Sequence, residues 1–439
     1  MNRPNLLMIV AHDLGDYLGC YGTPVRTPHL DALARDGVLL ENHLAAAPTE
    51  APSRASLMTG CYPHTHGVLG PLERGWQLDV EGCPPLPLLL RSAGYETHLF
   101  GFEREHLDPS RLGYQQVHDL PTYFAEDVAD AAASWLEGQT ARSQLFFAML
   151  GPAEAHRLKL NPSGWKRDVY VPADPAQVAV RPELPDVPEV RAELADFYGA
   201  IAHLDQAMGR VLAALDRSGL ARNTLVLFTS DNGASFPHGK GTLYDGGLKV
   251  ALLARWPGVI PAGRRIAALT SHVDLAPTLL NALELPAPRR AQGENLLGRP
   301  RSRAYVYGEM NHDRGLNPTR MIRSARHKYI ERRLNHSIYD GFLVELELSP
   351  LDFRGHPAIF DHYPARRCRE ELYDLATDPG ELRNLAEDEA NAGLLREMKA
   401  ALYAHLDRTT DRYRTTRLNV QIPTNDYEDV RAARRGRQP

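Results

Sequence analysis

Short uninterrupted apolar runs alternate along this chain with longer amphipathic stretches. Leu6–Val10, Thr97–Phe100, Leu145–Leu150, Thr224–Thr229 and Ala304–Tyr307 are rich in branched and aromatic residues and too short for helices. They predict strands buried on both faces. Between them, Pro28–Arg35, Pro85–Ala93, Asp127–Leu136 and Val190–Ser218 carry apolar residues at helical spacing. The last is the clearest, with Leu194, Phe197, Ile201, Leu204, Met208, Val211 and Leu212 on one stripe. Such alternation predicts an α/β fold, an open sheet with helices on both faces. Ligands of such sheets collect outside the carboxyl ends of the strands. Two polar segments, Ala11–Gly15 and Ser230–Gly233, follow predicted strands directly.

The texture changes after about residue 320. Met321–Ile330 alternates like a half-solvated antiparallel strand, Tyr339–Leu346 could pair with it, and Asn384–Arg408 carries Leu394, Leu395, Met398, Leu402 and Leu406 on a helical stripe. The expected organisation is therefore a large domain over 1–320 and a small sheet-plus-helix domain over 321–439, ending in an irregular tail after Arg412. Pro162–Pro188, dense in proline, reads as a long surface excursion beside the site.

Composition narrows the picture without deciding it. Hydrophobic residues make up 43% and charged residues 24%, ordinary for a globular enzyme, and a net charge of −5 gives no bulk case for nucleic acid or an anionic membrane. No stretch approaches the ~20 apolar residues of a membrane span, and the first apolar run is shorter than a signal-peptide core. As written, the chain reads as cytoplasmic; a leader removed on maturation would leave the same sequence. Cys20, Cys61, Cys83 and Cys368 are too scattered for a disulfide framework or a thiolate metal site and read as buried free thiols. Nothing in the chain points to a particular oligomeric state.

The chemistry concentrates in a few segments. His12-Asp13-Leu14-Gly15 and Ser230-Asp231-Asn232-Gly233 end two predicted strands. Carboxylates and amide carbonyls suit hard divalent cations, although polar residues before Gly also simply make turns. Glu50-Ala51-Pro52-Ser53-Arg54, running on to Leu57-Met58-Thr59-Gly60, opens a helix-compatible stretch with Pro52 suited to its first position, and such an end favours an anion.

These segments, in this order, resemble the sulfatase family. The likeness continues through Pro28–Ala34, Tyr62–Val68, Ala254–Gly258, Asp274–Leu280, Arg323–Ile330, Glu371–Leu375 and Asp378–Glu381. It implies an alkaline-phosphatase-like fold, with a central mixed, mostly parallel sheet, helices on both faces and a small C-terminal α+β domain. It also implies hydrolysis of a sulfate ester, on a small molecule or glycan, with a divalent metal, Ca2+ before Mg2+ or Mn2+. The matching positions make Asp13, Asp231 and Asn232 metal ligands, Arg54 and Lys240 anion-binding groups, and His156 the substrate-facing histidine.

Four positions depart from the family pattern. Glu50 stands where a Cys or Ser would be oxidised to formylglycine; a carboxylate cannot be, so no formylglycine is expected. His12 replaces the first Asp of a metal-binding pair, and it either ligates the metal or hydrogen-bonds nearby. Phe102 and Arg104 replace a Lys and a His; Arg104 supplies positive charge but no transferable proton. Glu50 could restore a carboxylate to the metal. The readings left open are a metal-dependent hydrolase using Glu50 as base or as nucleophile, on sulfate esters or on phosphate or phosphonate esters; an impaired relative that binds a sulfated or phosphorylated ligand or a partner protein; and an otherwise ordinary sulfatase in which Glu50 is an engineered or aberrant change.

Overall fold

Strand β1 (Asn5–Ala11) shows why the sheet is central, because all of its residues are buried. Its alternate side chains feed two separate cores: Leu7, Ile9 and Ala11 pack on one face, Leu6, Met8 and Val10 on the other. The helices Ala125–Glu137 and Pro188–Arg217 cover the first face, and Glu50–Thr59, Leu86–Ser92 and Leu275–Ala282 the second. This computed structural model describes residues 3–139, 144–158, 164–296, 303–312, 316–333, 362 and 368–414.

The other strands of the large sheet are β2 (Val38–Leu44), β3 (Glu96–Gly101), β4 (Gln116–His118), β5 (Phe146–Gly151), β6 (Thr224–Ser230), β7 (Leu252–Arg255) and β8 (Arg264–Ser271). Their order is β4-β3-β5-β1-β6-β7-β2-β8. Every pairing is parallel except those of β7, which runs against both β6 and β2. The sheet is thus mixed and mostly parallel with helices on both faces, as the sequence leads one to expect. β1 and β6 are neighbours in register, Ala11 opposite Ser230, so both polar segments leave the sheet at one point.

A second, antiparallel sheet holds β9 (Val306–His312), β10 (Leu316–Arg323), β11 (His327–Arg332) and β12 (Glu370–Asp374), in the order β12-β11-β10-β9. The helix Ala392–Arg408 lays Met398, Leu402 and Leu406 against Ile322, Tyr329 and Leu372 of this sheet. The small sheet therefore begins at Val306.

Several element expectations need correction. The apolar run Ala304–Tyr307 leads into β9 of the small sheet, where Val306 and Tyr307 pair antiparallel with β10 and take no place in the large one. Met321–Ile330 is a hairpin, turning where Ser324 N–H bonds to His327 O. The helix expected from Asn384 starts at Ala392, because Asn384 is used as a pin: its Oδ1 takes the N–H groups of Leu372 and Ala386. Pro162–Pro188 is more than a surface excursion, since from residue 164 onward Trp165, Tyr170, Val178 and Leu184 are buried in the main core. Tyr339–Leu346 and the tail beyond residue 414 lie outside the described residues. The four cysteines are free, with Cys61 and Cys83 buried and Cys20 and Cys368 half-buried.

Buried charges tie the small sheet to a short helix of the large domain. His64, in the short helix Pro63–His66, places Nδ1 2.6 Å from Glu309 Oε2 on β9 and 3.5 Å from Asp411 Oδ2. Arg320 on β10 reaches Asp411 at 2.6 Å and Glu309 at 3.7 Å. With a guanidinium inside it, this cluster is an ion-pair clasp and not a cation site.

Candidate active site

The helix Glu50–Thr59 starts at Glu50, two residues before Pro52, with Thr49 extended at its N-cap (φ −138°, ψ 155°). Pro52 falls in the first turn, where a missing N–H costs no hydrogen bond. Glu50 thus carries its charge at the positive end of a helix. One turn on, Arg54 is fully buried and uses three nitrogens inside the protein: Nε donates to Asp231 Oδ2 at 2.9 Å, and the two terminal groups donate to Val10 O and Phe102 O at 3.2 and 3.3 Å. Arg54 therefore ties the ends of β1 and β3 to Asp231 and acts through it.

Asp13 is the hub. It adopts φ 54°, a strained left-handed conformation for a residue with a side chain. Its carboxylate accepts from Asn232 Nδ2 and Ser235 Oγ at 2.8 Å each, from His156 Nδ1 at 2.6 Å and from Lys240 Nζ at 2.9 Å. Lys240 also reaches Glu50 Oε2 at 3.2 Å, so one ammonium joins the helix end to the hub. Asp231 is held as tightly, with Oδ1 taking the N–H groups of Asp13 and Asn232 and Oδ2 taking His12 Nδ1 at 2.8 Å besides Arg54.

These contacts set the charges. Burial alone would raise Asp13, but His12, Lys240 and His156 outweigh it and hold it well below the usual carboxylate range. Asp231 is lowered in the same way, against burial, by His12 and Arg54. Burial would also raise Glu50, yet Lys240 and then His12 pull it down to about 2. All three are anions at neutral pH. His156 is pushed below its ordinary value, first by burial and then by His12. An ionised carboxylate only accepts, so His156 Nδ1 donates to Asp13 and the neutral ring keeps its lone pair on Nε2. A quarter of this side chain is exposed.

The structure brings together Asp13, Asp231, Asn232, His12, Glu50, Arg54, His156 and Lys240. It does not bring Arg104 in. That side chain pairs with Glu73 and lies over the Phe102 ring, 5.3 Å from its centroid, and Phe102 in turn stacks on His12 at 4.8 Å. Sequence reasoning missed Ser235, Phe102 as a stacking partner, and the pair formed by Ser53 Oγ and His272 Nδ1 at 2.9 Å behind the site. Ser235 was within reach, four residues past Asp231; His272 follows β8 with no local motif to mark it.

The donors suit a divalent cation. Asp13 and Asp231 supply carboxylates side by side, and Asn232 Oδ1 is fully buried with no hydrogen-bond partner, an orphan expected where an ion or ordered water belongs. Ligand atoms of His12, Asp13 and His156 lie within 4.8 Å of one another.

A sulfatase family model matches residues 4–285, and a model described as N-sulphoglucosamine sulphohydrolase, C-terminal, matches residues 237–353. N-sulphoglucosamine sulphohydrolase of Homo sapiens is 30% identical over 462 residues, spanning 91% of this chain and 89% of that protein. Among solved structures, the phosphonate monoester hydrolase of Agrobacterium radiobacter has a TM-score of 0.72 at 24% identity, covering 94% of this chain and 97% of that one. Another, in complex with its substrate D-glucosamine-2-N,6-O-disulfate, has a TM-score of 0.70 at 18% identity, covering 94% of this chain and all of that one. At these identities the structures speak for the fold.

Proposed function

Because the chain belongs to the sulfatase family, we propose that it hydrolyses a sulfate ester, on a small molecule or glycan, with Glu50 in place of the formylglycine that such sites use. The observation that supports this most is the single network on Asp13, which links Glu50, Lys240 and His156 by contacts of 2.6 to 3.2 Å. A site that had lost its chemistry would have no need to keep all three in one network.

The roles follow from charge and exposure. Asp13, Asp231 and Asn232 are the residues that would hold a divalent cation, whose charge polarises the sulfuryl oxygens when bound. Lys240 is the side chain placed to leave its carboxylates for the ester's oxygens, since its ammonium rotates freely among acceptors. Glu50, an anion with its carboxyl near 2, is a weak base and serves to orient a water. His156 Nε2 takes that water's proton, with Asp13 fixing the ring, while the leaving oxygen, on the far side of the sulfur, is protonated from solvent. Direct attack by Glu50 would create a mixed anhydride and gains nothing from the Lys240 pair.

One observation favours a second reading, an impaired relative that binds a sulfated or phosphorylated ligand. Lys240 is already neutralised by Asp13 and Glu50, and a carboxylate in the anion seat repels an incoming oxyanion. At ~4 Å two unit charges repel by roughly 4 kcal/mol at an effective dielectric near 20.

The experiment is an assay of the metal-supplied protein on aryl sulfates, glucosamine sulfates, and phosphate and phosphonate esters. Glu50→Gln, His156→Gln and Glu50→Cys run beside it, the last co-expressed with the enzyme that oxidises cysteine to formylglycine. Turnover by the parent that falls by two orders of magnitude or more in His156→Gln (~10²–10⁴ for a positioned acid–base group), and measurably in Glu50→Gln, supports the hydrolase. Silence from the parent with rescue by Glu50→Cys establishes the impaired scaffold.

A further inference from the structure

The cage around Asp13 contains a nitrogen donor in a fixed place. His12 is 4% exposed, its ring stacked between Phe102, 4.8 Å away at 30°, and His156, 4.4 Å away at 23°. Nδ1 points at both carboxylates, 2.8 Å from Asp231 Oδ2 and 3.4 Å from Asp13 Oδ1. It therefore stands beside the same oxygens that would hold a cation, and the two stacking rings leave it little freedom to turn away.

The oxygen donors are few. Asp231 Oδ1 is committed to two backbone N–H groups and Oδ2 to Arg54 as well as His12. Asp13 shares its oxygens with Ser235, Asn232, His156 and Lys240. Among the described residues of this cage, the Asn232 amide oxygen is the one that is buried and unpartnered. A hard ion such as Ca2+ wants about six to eight oxygens. Imidazole is a poor donor to such an ion and a good one to Zn2+, Fe2+ and their neighbours.

We propose that His12 is a metal ligand and that it shifts this site from Ca2+ to a borderline first-row ion, with Zn2+ as the representative. The donor set is then His12 Nδ1 with Asp13, Asp231 and the Asn232 amide oxygen. The proton that Nδ1 now shares with Asp231 is exchanged for the ion, as metal ligation by histidine requires. This rests on the hydrolase reading only in placing an ion in the cage; it stands whether or not the loaded protein turns over.

The test reads bound metal and not activity. Metal-stripped parent protein and His12→Asp are dialysed against equal Zn2+ and Ca2+, and the retained metal is counted by plasma mass spectrometry. The parent is expected to hold about one Zn2+ per chain and little Ca2+. His12→Asp should lower the Zn2+ to Ca2+ ratio by at least the roughly ten- to a hundredfold that loss of an outer-shell partner costs in affinity. X-ray absorption of the Zn2+-loaded parent adds a readout independent of the variant's folding and should show imidazole scattering. Retention of Ca2+ in preference to Zn2+, a ratio that His12→Asp leaves unmoved, an all-oxygen shell, or no retained ion overturns the proposal. Failure of turnover with Zn2+ bound through His12 would instead count against the hydrolase reading alone.

Discussion

Arg54 is a buried cation whose partners are a carboxylate and two strand-end carbonyls, so its loss reaches further than one contact. Arg54→Ala would leave Asp231 buried with less compensating charge and two carbonyls short of a donor. The expected cost is about 3–5 kcal/mol of unfolding free energy, read from urea titration. Arg54→Lys should recover only part of it, because one ammonium cannot span the three directions that the guanidinium does. A variant as stable as the parent would show that Asp231 does not depend on this pair. Residues of this kind were legible in the sequence because each sits in a short motif: Asp13 and Asp231 at strand ends, Glu50 and Arg54 one helical turn apart. Ser53 with His272 was not, since their contact joins positions 219 residues apart. Arg104 was misplaced for a related reason: sequence position put it beside the site, while Glu73, unforeseen, draws its charge to the edge.

At the scale of elements, the close approach of strand ends matters most. Gly151 closes β5, and a Cβ there would lie 1.9 Å from Phe102 O, the carbonyl that Arg54 binds. Gly151→Ala must push that carbonyl away, at a cost of about 1–3 kcal/mol from overpacking. Calorimetry checks the stability, and metal retention in the same sample checks whether the displacement reaches Asp231 through Arg54. The elements that the sequence made legible are those whose burial is uniform. β1, β5 and β6 are continuous apolar runs, and the 30-residue helix Pro188–Arg217 keeps a clear stripe. Those it hid are short or mixed. β4 has three residues, β7 four, and β8 opens with Arg264-Arg265 at the sheet's edge, so neither period nor composition marks them. The run at Ala304 looks like a strand of the large sheet because a local apolar pattern does not name its partner strand.

For the whole molecule, the clasp between the short helix Pro63–His66 and the small sheet should make stability pH-dependent. Burial would lower His64, but Glu309 outweighs it and raises the ring above 6.5; Glu309 itself is lowered, against burial, by His64 and Arg320. The histidine's contribution is complete below its unfolded value of 6.5 and is lost as pH rises through its raised folded value. The glutamate's is complete above its unfolded value of 4.5 and is lost as pH falls through its lowered folded one. The tie is thus fully made between those two unfolded values. Chemical denaturation across pH should show His64→Gln losing more stability at pH 6 than at pH 9; an equal loss at both would remove His64 from the clasp. The lone reversed strand, β7, has a further outcome. Because it returns beside β6, the stretch bearing Ser235 and Lys240 leaves and re-enters the sheet at the same rim. Insertions within that stretch would alter the surroundings of Asp13 while the eight strands keep their order, so this rim can vary in shape without rebuilding the fold.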